Sequence, residues 1–391
     1  MGSYGIISRH FVLAAGGTGG HMIPAHALAE ELIDRGHSVA LITDARGAKI
    51  PGLFGKAETH ILPAGRLSGG PLGWLRAASN ILAGRATASR LYREPRPAAV
   101  VGFGGYPALP ALLGARASGI PTIIHEQNAV LGRVNRLLAP RVDAIATAYP
   151  EVDRLKPRYR AKTELVGNPV REEVLALRSQ PFQPLGDDGF FRVLVTGGSQ
   201  GASILSEVVP HGLSLLSEEF RGRLQVTQQC RAEDIEQVRA RYSEFAIPAE
   251  LATYLPNLPE LLASCHLFVG RAGASTIAEL TAAGRPAILV PLPSATDDHQ
   301  SANAREMVKA GGARMIPQSE FTPERLADEM NLLGMDADKL AEAAAHARAV
   351  GHPDAARDLA DLVERIGRTP AGDALPVTEP KAQPLPNGAL A

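Results

Sequence analysis

The sequence predicts an α/β protein made of two doubly wound domains that face each other across a cleft. Two observations lead to this prediction. An apolar strand, a glycine-rich turn and a helical pattern follow one another from residue 10, and the same order returns from residue 192. Deeper in each half, a second strand and helix are separated from the next strand by a Gly-x-Pro turn, at residues 119–121 and 284–286. Strands that alternate with helices form parallel sheets covered on both faces, so two copies of one plan predict two such sheets.

Length and composition fit this organisation. The 391 residues are enough for two to three domains, and 45% hydrophobic with 21% charged residues is typical of a globular protein. The two cysteines, Cys230 and Cys265, are too few for a disulfide framework or a four-ligand zinc site. An aromatic content of 5% argues against a partner such as single-stranded nucleic acid, which binds by stacking.

The first element is an apolar strand over residues 10–15, and a helical pattern covers residues 25–35. Between them lies the turn Gly16-Gly17-Thr18-Gly19-Gly20-His21. A glycine turn that opens a helix brings backbone N–H groups close to an anion, and the helix dipole favours negative charge there. His21 stands at the start of the helix, where the dipole would lower its pKa and favour a neutral imidazole that can accept a proton.

The basic residues are concentrated in the first half of the chain. Residues 1–168 hold 20 Lys and Arg against 11 Asp and Glu, whereas the rest of the chain holds 20 against 30. Within residues 66–96, six arginines accompany Trp74, the only tryptophan, and apolar residues at helical spacing. Such a helix can lie on an anionic membrane surface with its apolar face at the headgroup boundary. An ordinary amphipathic helix with a solvated basic face fits the same pattern.

The second glycine turn follows a strand over residues 192–196 and spans Gly197 to Gly201. Two such turns indicate a phosphorylated ligand. A dinucleotide fingerprint starting at Gly17 would require glycine at position 22, which is Met22, and no G-K-[ST] follows either turn. The alternative is that the glycines only permit tight turns between strand and helix.

A third glycine turn begins at Arg271 and leads into a helical pattern over residues 275–283. Glu279 lies about one turn into this helix, where a carboxylate can accept two hydrogen bonds from a ribose diol; it is otherwise a favourable acid in a first turn. Residues 297–300 and Asn303 then place carboxylates and amides just after a strand, and amides at that location can discriminate sugar hydroxyls.

Metal ligands and membrane spans are not expected. Asp336 and Asp338 form the only D-x-D of the chain, but they start a late helical segment, which predicts helix capping. No stretch reaches the roughly 18 uninterrupted apolar residues of a spanning helix. The N-terminus lacks the pattern of a signal peptide, so we expect a cytoplasmic protein.

Seven motifs spread over both halves resemble those of one family. They are GGTGGH at residues 16–21, FGGYPALPA at 103–111, HEQN at 125–128, GNPVR at 167–171, GGSQGA at 197–202, RAGASTIAEL at 271–280 and HQSANA at 299–304. In this order, and over about residues 10–366, the chain resembles the MurG family, glycosyltransferase family 28. The resemblance implies the GT-B fold, with two Rossmann-like domains facing each other across a cleft.

Four regions follow from the resemblance and from the interruption of the pattern near residues 166–171. We expect an acceptor-binding and membrane-docking domain at residues 8–168 and a UDP-GlcNAc-binding domain at residues 169–350. Residues 351–367 are expected to form a helix that packs back on the first domain. The tail at residues 368–391 is rich in Pro, Ala and Gly without apolar periodicity, which predicts disorder.

The resemblance also implies a reaction. GlcNAc passes from UDP-GlcNAc to the C4 hydroxyl of the MurNAc unit of lipid I and gives lipid II for peptidoglycan. The mechanism is inverting and needs one general base, no cofactor and no metal. The implied location is the cytoplasmic face of the inner membrane, peripherally bound to its anionic leaflet, with other cell-wall synthesis proteins as partners.

The residues implied by the resemblance fall into three sets. His21 is the catalytic base, with His125 and Glu126 as alternatives nearby. The donor-binding residues are Thr18, Gly19, Gly20, Asn128, Arg171, Ser199, Leu255, Ala274, Ser275, Thr276, Glu279 and Gln300. The membrane-docking residues are Trp74, Leu75, Arg76, Ile81, Leu82 and Arg85. The chain departs from the family pattern at Gly270, where a serine or cysteine is usual, and at His299, where some members have a second glutamine.

Three alternatives remain open at this point. The first is a GT-B glycosyltransferase with another lipid or a small-molecule acceptor. The second is an NAD-dependent oxidoreductase with two Rossmann domains, against which Met22 speaks. The third is a non-catalytic scaffold that retains the fold.

Overall fold

The computed structural model describes residues 8–50, 54–62, 70–183, 185, 189–198, 201–333 and 336–368. The side chains of residues 71–77 and 368 are outside that description. Three expectations from the sequence therefore fall outside the described residues: the donor contact at Ser199, the membrane-docking side chains of Trp74, Leu75 and Arg76, and the disorder of the tail beyond Arg368.

In the first half of the described chain, seven parallel strands form one sheet in the order β3-β2-β1-β4-β5-β6-β7. The strands are β1 (His10–Ala14), β2 (Ser38–Thr43), β3 (Glu58–Ile61), β4 (Ala99–Gly102), β5 (Thr122–Glu126), β6 (Ala144–Thr147) and β7 (Thr163–Leu165). Its helices are α1 (Gly19–Asp34), α2 (Pro71–Leu91), α3 (Ala108–Ala117) and α4 (Arg133–Leu138).

Strand β1 shows why its sequence is apolar throughout. Phe11 and Leu13 lie in the core beneath α1, whereas Val12 and Ala14 lie in a second core that includes Leu112 of α3. Both faces of a parallel sheet are covered by helices, so successive residues of a central strand are buried on opposite sides. The sheet therefore has two hydrophobic cores.

The second half repeats this plan with six parallel strands, described in the order β10-β9-β8-β11-β12-β13. The strands are β8 (Phe191–Thr196), β9 (Leu224–Gln229), β10 (Ala249–Ala252), β11 (Leu267–Gly270), β12 (Ala287–Leu289) and β13 (Ala313–Met315). Its helices are α5 (Glu172–Ala176), α6 (Ser203–Ser214), α7 (Glu218–Arg221), α8 (Ile235–Glu244), α9 (Leu258–Ser264), α10 (Ala274–Ala283), α11 (His299–Lys309), α12 (Pro323–Leu333) and α13 (Ala337–Ala349). The predicted fold class, two doubly wound Rossmann-like domains of the GT-B type, is confirmed.

The last helix, α14 (Ala355–Arg368), returns to the first sheet. Leu359, Val363 and Ile366 join the core that contains Phe11. On its outer side, Arg35 of α1 pairs with Glu364 at 3.0 Å. The end of the chain therefore completes the hydrophobic core next to its beginning.

Helix α1 begins at Gly19, six residues before the start predicted from the pattern. Glycines have low helix propensity and Pro24 lacks an N–H, so the sequence alone places the start at residue 25. Met22 and Pro24 are nevertheless buried, and Thr18 provides an extended N-cap with φ −129° and ψ 148°. Tertiary packing therefore overrides the local preference.

Candidate active site in the cleft

Four glycine turns lie at the two places where the strand order reverses. In the first sheet the reversal falls between β1 and β4, and in the second between β8 and β11. Each of these four strands ends in one of the turns singled out in the sequence, beginning at Gly16, Phe103, Gly197 and Arg271. In doubly wound sheets such switch points form the crevice in which ligands bind.

In the first domain, two glycine turns pack backbone against backbone. Gly16 N donates to Gly104 O at 3.2 Å. Gly104 and Gly105 have φ of +91° and +75°, and a Cβ on Gly105 would lie 2.7 Å from Gly16 Cα. The glycines of the FGGYP motif therefore let the two turns approach where a side chain would not fit. Sequence analysis did not predict this role of the motif.

His21 lies between these two turns and has a defined tautomer. Its Nδ1 is 3.3 Å from Gly16 O and 3.1 Å from Thr18 Oγ1. A carbonyl oxygen only accepts, so Nδ1 carries the proton and Nε2 has the free lone pair. Nε2 faces Gly104, where a Cβ would lie 3.1 Å away.

Burial lowers the pKa of His21, and this is the largest influence on it. The bond to Gly16 O and the charge of Asp44 raise the pKa, while His299 lowers it further. The predicted direction is confirmed, but desolvation is its main cause rather than the helix dipole. The arrangement is that of a neutral imidazole able to take a proton.

His125 and Glu126, the alternatives for the base, are occupied by the fold. His125 is 0% exposed, and its two ring nitrogens lie 2.9 Å from Gly167 O and 2.9 Å from Gln127 Nε2. Burial lowers the pKa of His125 to about 4. Neither ring nitrogen is therefore available to a substrate.

The Glu126 carboxylate is also fully engaged. It accepts from Asn128 N at 3.0 Å, from Gly132 N at 2.7 Å and from Asn135 Nδ2 at 2.9 Å. Burial raises its pKa, while these hydrogen bonds act in the opposite direction. Glu126 thus stabilises the loop that contains Asn128.

On the other side of the cleft, two predicted donor residues bond to each other. Arg171, the N-cap of α5, donates to Glu279 Oε1 through Nη2 at 2.7 Å and through Nε at 3.2 Å. Glu279 is 5% exposed; burial raises its pKa, which Arg171 opposes. Within the described residues Oε2 accepts no hydrogen bond, so this oxygen can still accept from a ligand.

The start of α10 has the features of an anion site. Gly273 is an extended N-cap with φ −65° and ψ 150°, and Ala274, Ser275 and Thr276 form the first turn, whose N–H groups lack helical partners. Ser275 Oγ is buried and has no partner in the described part of the chain. A phosphate oxygen at this position would satisfy both the hydroxyl and the backbone.

The N-terminus of α11 carries two residues considered for the site, His299 and Gln300. His299 acts electrostatically on His21, and its Nδ1 lies 2.9 Å from Thr296 O. Gln300 Oε1 accepts from Leu292 N at 3.0 Å. Leu255 lies beyond the carboxyl end of β10 and is partly buried against the second domain's core.

The expectation that the Asn303 amide meets a sugar is wrong. Asn303 is 0% exposed and holds the domains together, because its amide bonds Ala129 N at 2.8 Å and Asn128 Oδ1 at 3.1 Å. Asp297 is ion-paired with Arg136 of the first domain. Both side chains are committed to the contact between domains, which the sequence did not indicate.

Among the described residues, no group of three or more His, Cys, Asp or Glu side chains could hold a metal ion. Asp336, from the D-x-D sequence, is the N-cap of α13 and accepts from Lys339 N at 3.1 Å. Its predicted capping role is confirmed.

Helix α2 carries the residues predicted to dock on a membrane. Leu82 is 63% exposed and Arg85 is exposed, whereas Gly84 and Ala88 are buried. Ile81 is partly buried against the core. The side chains of Trp74, Leu75 and Arg76 are outside the described residues. In the part of the chain that is described, no helix is long and apolar enough to cross a bilayer.

Comparison with known proteins identifies relatives over most of the chain. Residues 11–147 match the glycosyltransferase family 28 N-terminal domain and residues 192–359 match its C-terminal domain. A UDP-N-acetylglucosamine--N-acetylmuramyl-(pentapeptide) pyrophosphoryl-undecaprenol N-acetylglucosamine transferase from Zymomonas mobilis is 63% identical over 92% of this chain and 93% of its own. A protein of the same name from Novosphingobium aromaticivorans is 63% identical over 94% of this chain and 95% of its own.

The fold has a solved counterpart. The crystal structure of Acinetobacter baumannii MurG superposes with a TM-score of 0.71 at 30% identity, covering 91% of this chain and 99% of that one. The fold of this chain, over 91% of its length, therefore has a precedent in a solved structure.

Proposed function

The chain belongs to glycosyltransferase family 28, and on this premise we propose that it transfers GlcNAc from UDP-GlcNAc to the C4 hydroxyl of MurNAc in lipid I. The product is lipid II, a precursor of peptidoglycan. Relatives that carry this activity in their names are 63% identical over nearly the whole chain. The observation that carries the mechanism is a neutral His21 with an open Nε2, placed between two glycine turns.

The proposed chemistry is a single displacement. The acceptor C4 oxygen attacks the anomeric carbon of GlcNAc as its proton passes to Nε2 of His21. The bond between the anomeric carbon and the β-phosphate oxygen breaks, and UDP leaves with its electron pair. Attack opposite the leaving group converts the α-linked donor into a β-linked product. A neutral base at this position contributes roughly a hundredfold to ten-thousandfold.

UDP is held and stabilised by the second domain in this proposal. The first turn of α10 and the unpaired Ser275 Oγ lie where phosphate charge develops. Glu279 Oε2 receives the ribose, and Arg171 keeps its carboxylate oriented. Thr18, Gly19, Gly20, Asn128, Leu255 and Gln300 complete the proposed donor site, together with Ser199.

We further propose that residues 8–168 hold the acceptor and touch the membrane, while residues 169–350 hold the donor. Residues 351–367 act with the first domain. The exposed Leu82 and Arg85 of α2 support peripheral binding to an anionic inner leaflet, since apolar and basic groups stand side by side.

The nicotinamide-dependent alternative is not supported. Both halves of the chain match glycosyltransferase domains. Met22, at the position where a dinucleotide fingerprint needs glycine, is 1% exposed and belongs to the core.

The test is UDP release from UDP-GlcNAc with and without a lipid I analogue. We expect release to depend on the analogue and to be accompanied by a β-linked disaccharide product. Diacylglycerol and MurNAc without its pyrophosphoryl lipid serve as control acceptors. Equal release with diacylglycerol would assign the enzyme to another acceptor, and no release with any acceptor would contradict a transferase.

A further inference from the structure

Backbone strain is concentrated at one contact between the domains. Five non-glycine residues of the described chain have positive φ, and three of them lie at this contact: Arg154 (69°), Asp297 (55°) and Asp298 (52°). Left-handed backbone is uncommon for residues with a Cβ, although Asp and Asn tolerate it best, so three such residues at one contact call for a local cause. The cause of this clustering therefore lies in what surrounds Asp297.

The Asp297 carboxylate is held by two arginines of the first domain. Arg136 of α4 donates to Oδ2, and Arg154 Nη2 lies 3.4 Å from Oδ1. The Asp297 side chain is 22% exposed, and Arg136 is 29% exposed. Within the described residues Arg136 Nε is buried without a partner, so Asp297 is the group that fixes this guanidinium.

The strained residues directly precede the substrate-facing end of α11. Asp297 and Asp298 turn the chain into the helix, which begins at His299. Asp298 Oδ1 accepts from Ser301 Oγ at 2.8 Å, and Gln300 Oε1 accepts from Leu292 N at 3.0 Å. The direction in which Gln300 leaves the backbone thus depends on the left-handed turn before it.

We propose that Arg136 and Arg154 are positioning residues that act through Asp297. The two guanidinium groups hold the Asp297 carboxylate and with it the turn at residues 297–298, so that Gln300 is set for the donor sugar. The inference rests on the proposed function, because Gln300 is part of the donor site proposed there.

Energetically, the ion pairs favour the conformation in which the turn at residues 297–298 is held and Gln300 is set. If donor binds tightly only to that conformation, its apparent affinity falls in proportion to the fraction of molecules that adopt it. Loss of the pair should therefore raise KM for UDP-GlcNAc and change kcat little, because saturating donor restores that conformation.

The same interface provides a matched control. Arg305, also on α11, pairs with Asp153 of the first domain at 3.0 Å, and their side chains are 61% and 50% exposed. This pair crosses between the domains but lies beyond the turn and has no part in holding it. A variant of this pair therefore distinguishes an effect specific to Gln300 from a general weakening of the contact between the two domains.

The experiment compares Arg136→Gln, Asp297→Asn, their double variant, Arg136→Lys and Arg305→Gln. Asparagine tolerates left-handed backbone as aspartate does, so Asp297→Asn removes the charge and keeps the turn accessible. We expect KM for UDP-GlcNAc to rise roughly threefold to fivefold in Arg136→Gln and Asp297→Asn, the range of a partly exposed ion pair. The double variant should be no worse than either single one, Arg136→Lys should lie near the parent, and Arg305→Gln should match the parent.

Additive losses in the double variant, an equal effect of Arg305→Gln, or a fall in kcat with KM unchanged would overturn the inference. UDP-GlcNAc binding by calorimetry without acceptor separates it from the proposed function. If the parent transfers GlcNAc to no acceptor, but Arg136→Gln and Asp297→Asn both bind UDP-GlcNAc more weakly than the parent, the proposed reaction is contradicted and the positioning role is supported. If these two variants bind UDP-GlcNAc as tightly as the parent, only the positioning role is contradicted.

Discussion

The chemistry of His21 is set by atoms on either side of its ring. Gly16 O accepts from Nδ1 and so fixes the tautomer, while Gly104, which has no side chain, leaves Nε2 open. These two glycines follow β1 and β4, which are neighbours in the sheet but far apart in sequence. A base with one defined free lone pair therefore needs both turns.

His21→Ala should lower turnover by roughly a hundredfold or more, the usual scale for loss of a general base. UDP affinity should be nearly unchanged, because the proposed phosphate and ribose contacts lie on α10. Steady-state kinetics and calorimetry with UDP measure the two effects. His211→Ala is the control, since His211 lies on α6 and bonds to Glu207 O. Parental turnover in His21→Ala would remove His21 from the role of base.

The pH dependence of kcat/KM follows from the lowered pKa of His21 in the free enzyme. The base acts when neutral, so kcat/KM falls only as the pH drops through this pKa, which burial places below the ordinary 6.5. We expect kcat/KM at pH 6.5 to exceed half of its plateau, with the acid limb centred below that value. A limb centred above pH 6.5 in the parent, or one that persists unchanged in His21→Ala, would show that another group titrates.

At the level of single residues, the sequence predicted which residues contribute to the site but not all of their hydrogen-bond partners. Glu279 and Arg171 were each predicted as donor contacts, yet nothing in the spacing of 108 positions indicated that they bond. Asn303 looked like a sugar ligand because amides follow a strand end, but it is buried between the domains. Which partner a polar side chain meets depends on domain placement, and one sequence carries little information on that.

Helix α2 has one face that packs against the fold and an opposite face that is exposed to solvent. Its buried face carries Gly84 and Ala88, and a Cβ on Gly114 of α3 would lie 3.0 Å from Ala88 Cβ. The two helices therefore approach closely through small residues. The opposite face leaves Leu82 and Arg85 in solvent, so that an apolar and a basic side chain are both accessible there.

Charge reversal on α2 should weaken binding to anionic vesicles. Each basic residue near such a surface contributes about 1 kcal/mol, so Arg76→Glu with Arg85→Glu should lower the vesicle partition coefficient by roughly tenfold or more at low salt. The difference should shrink as salt is added. Sedimentation with phosphatidylglycerol vesicles measures this. Arg85→Glu on α2 and Arg239→Glu on α8 each reverse one charge and form a matched pair of single variants. Equal vesicle binding by these two variants would contradict docking through α2.

At the level of elements, apolar runs predicted the strands closely, because central parallel strands are buried on both faces and leave a continuous signal. Strand β1 was expected over residues 10–15 and covers His10–Ala14. Helix starts were harder, as α1 shows, since packing of Met22 and Pro24 sustains a first turn that local propensity disfavours. Periodicity therefore indicates where an element packs better than where it begins.

Across the whole molecule, the chain crosses between the domains more than once. Helix α14 follows the second domain in sequence but contributes Leu359 and Val363 to the first domain's core. Arg35 binds Asp361 at 2.5 Å and Glu364 at 3.0 Å from outside. The two-domain plan could be predicted from the similarity of the two halves. The contact between the domains instead depends on single residues such as Asn303 and Asp297, which belong to no repeated motif.

The stability of the first domain should therefore depend on the end of the chain. Leu359 and Leu340 are both 0% exposed, but Leu340 lies in the second domain's core. Leu→Ala in a core costs about 2–5 kcal/mol, so Leu359→Ala should speed amide hydrogen exchange in β1 and β4, and Leu340→Ala in β8 and β11. Exchange measured by mass spectrometry on the intact chain resolves these strands. If Leu359→Ala instead loosened β8 and β11 and left β1 protected, α14 would belong energetically to the donor domain, and the first domain would have to be stable without it.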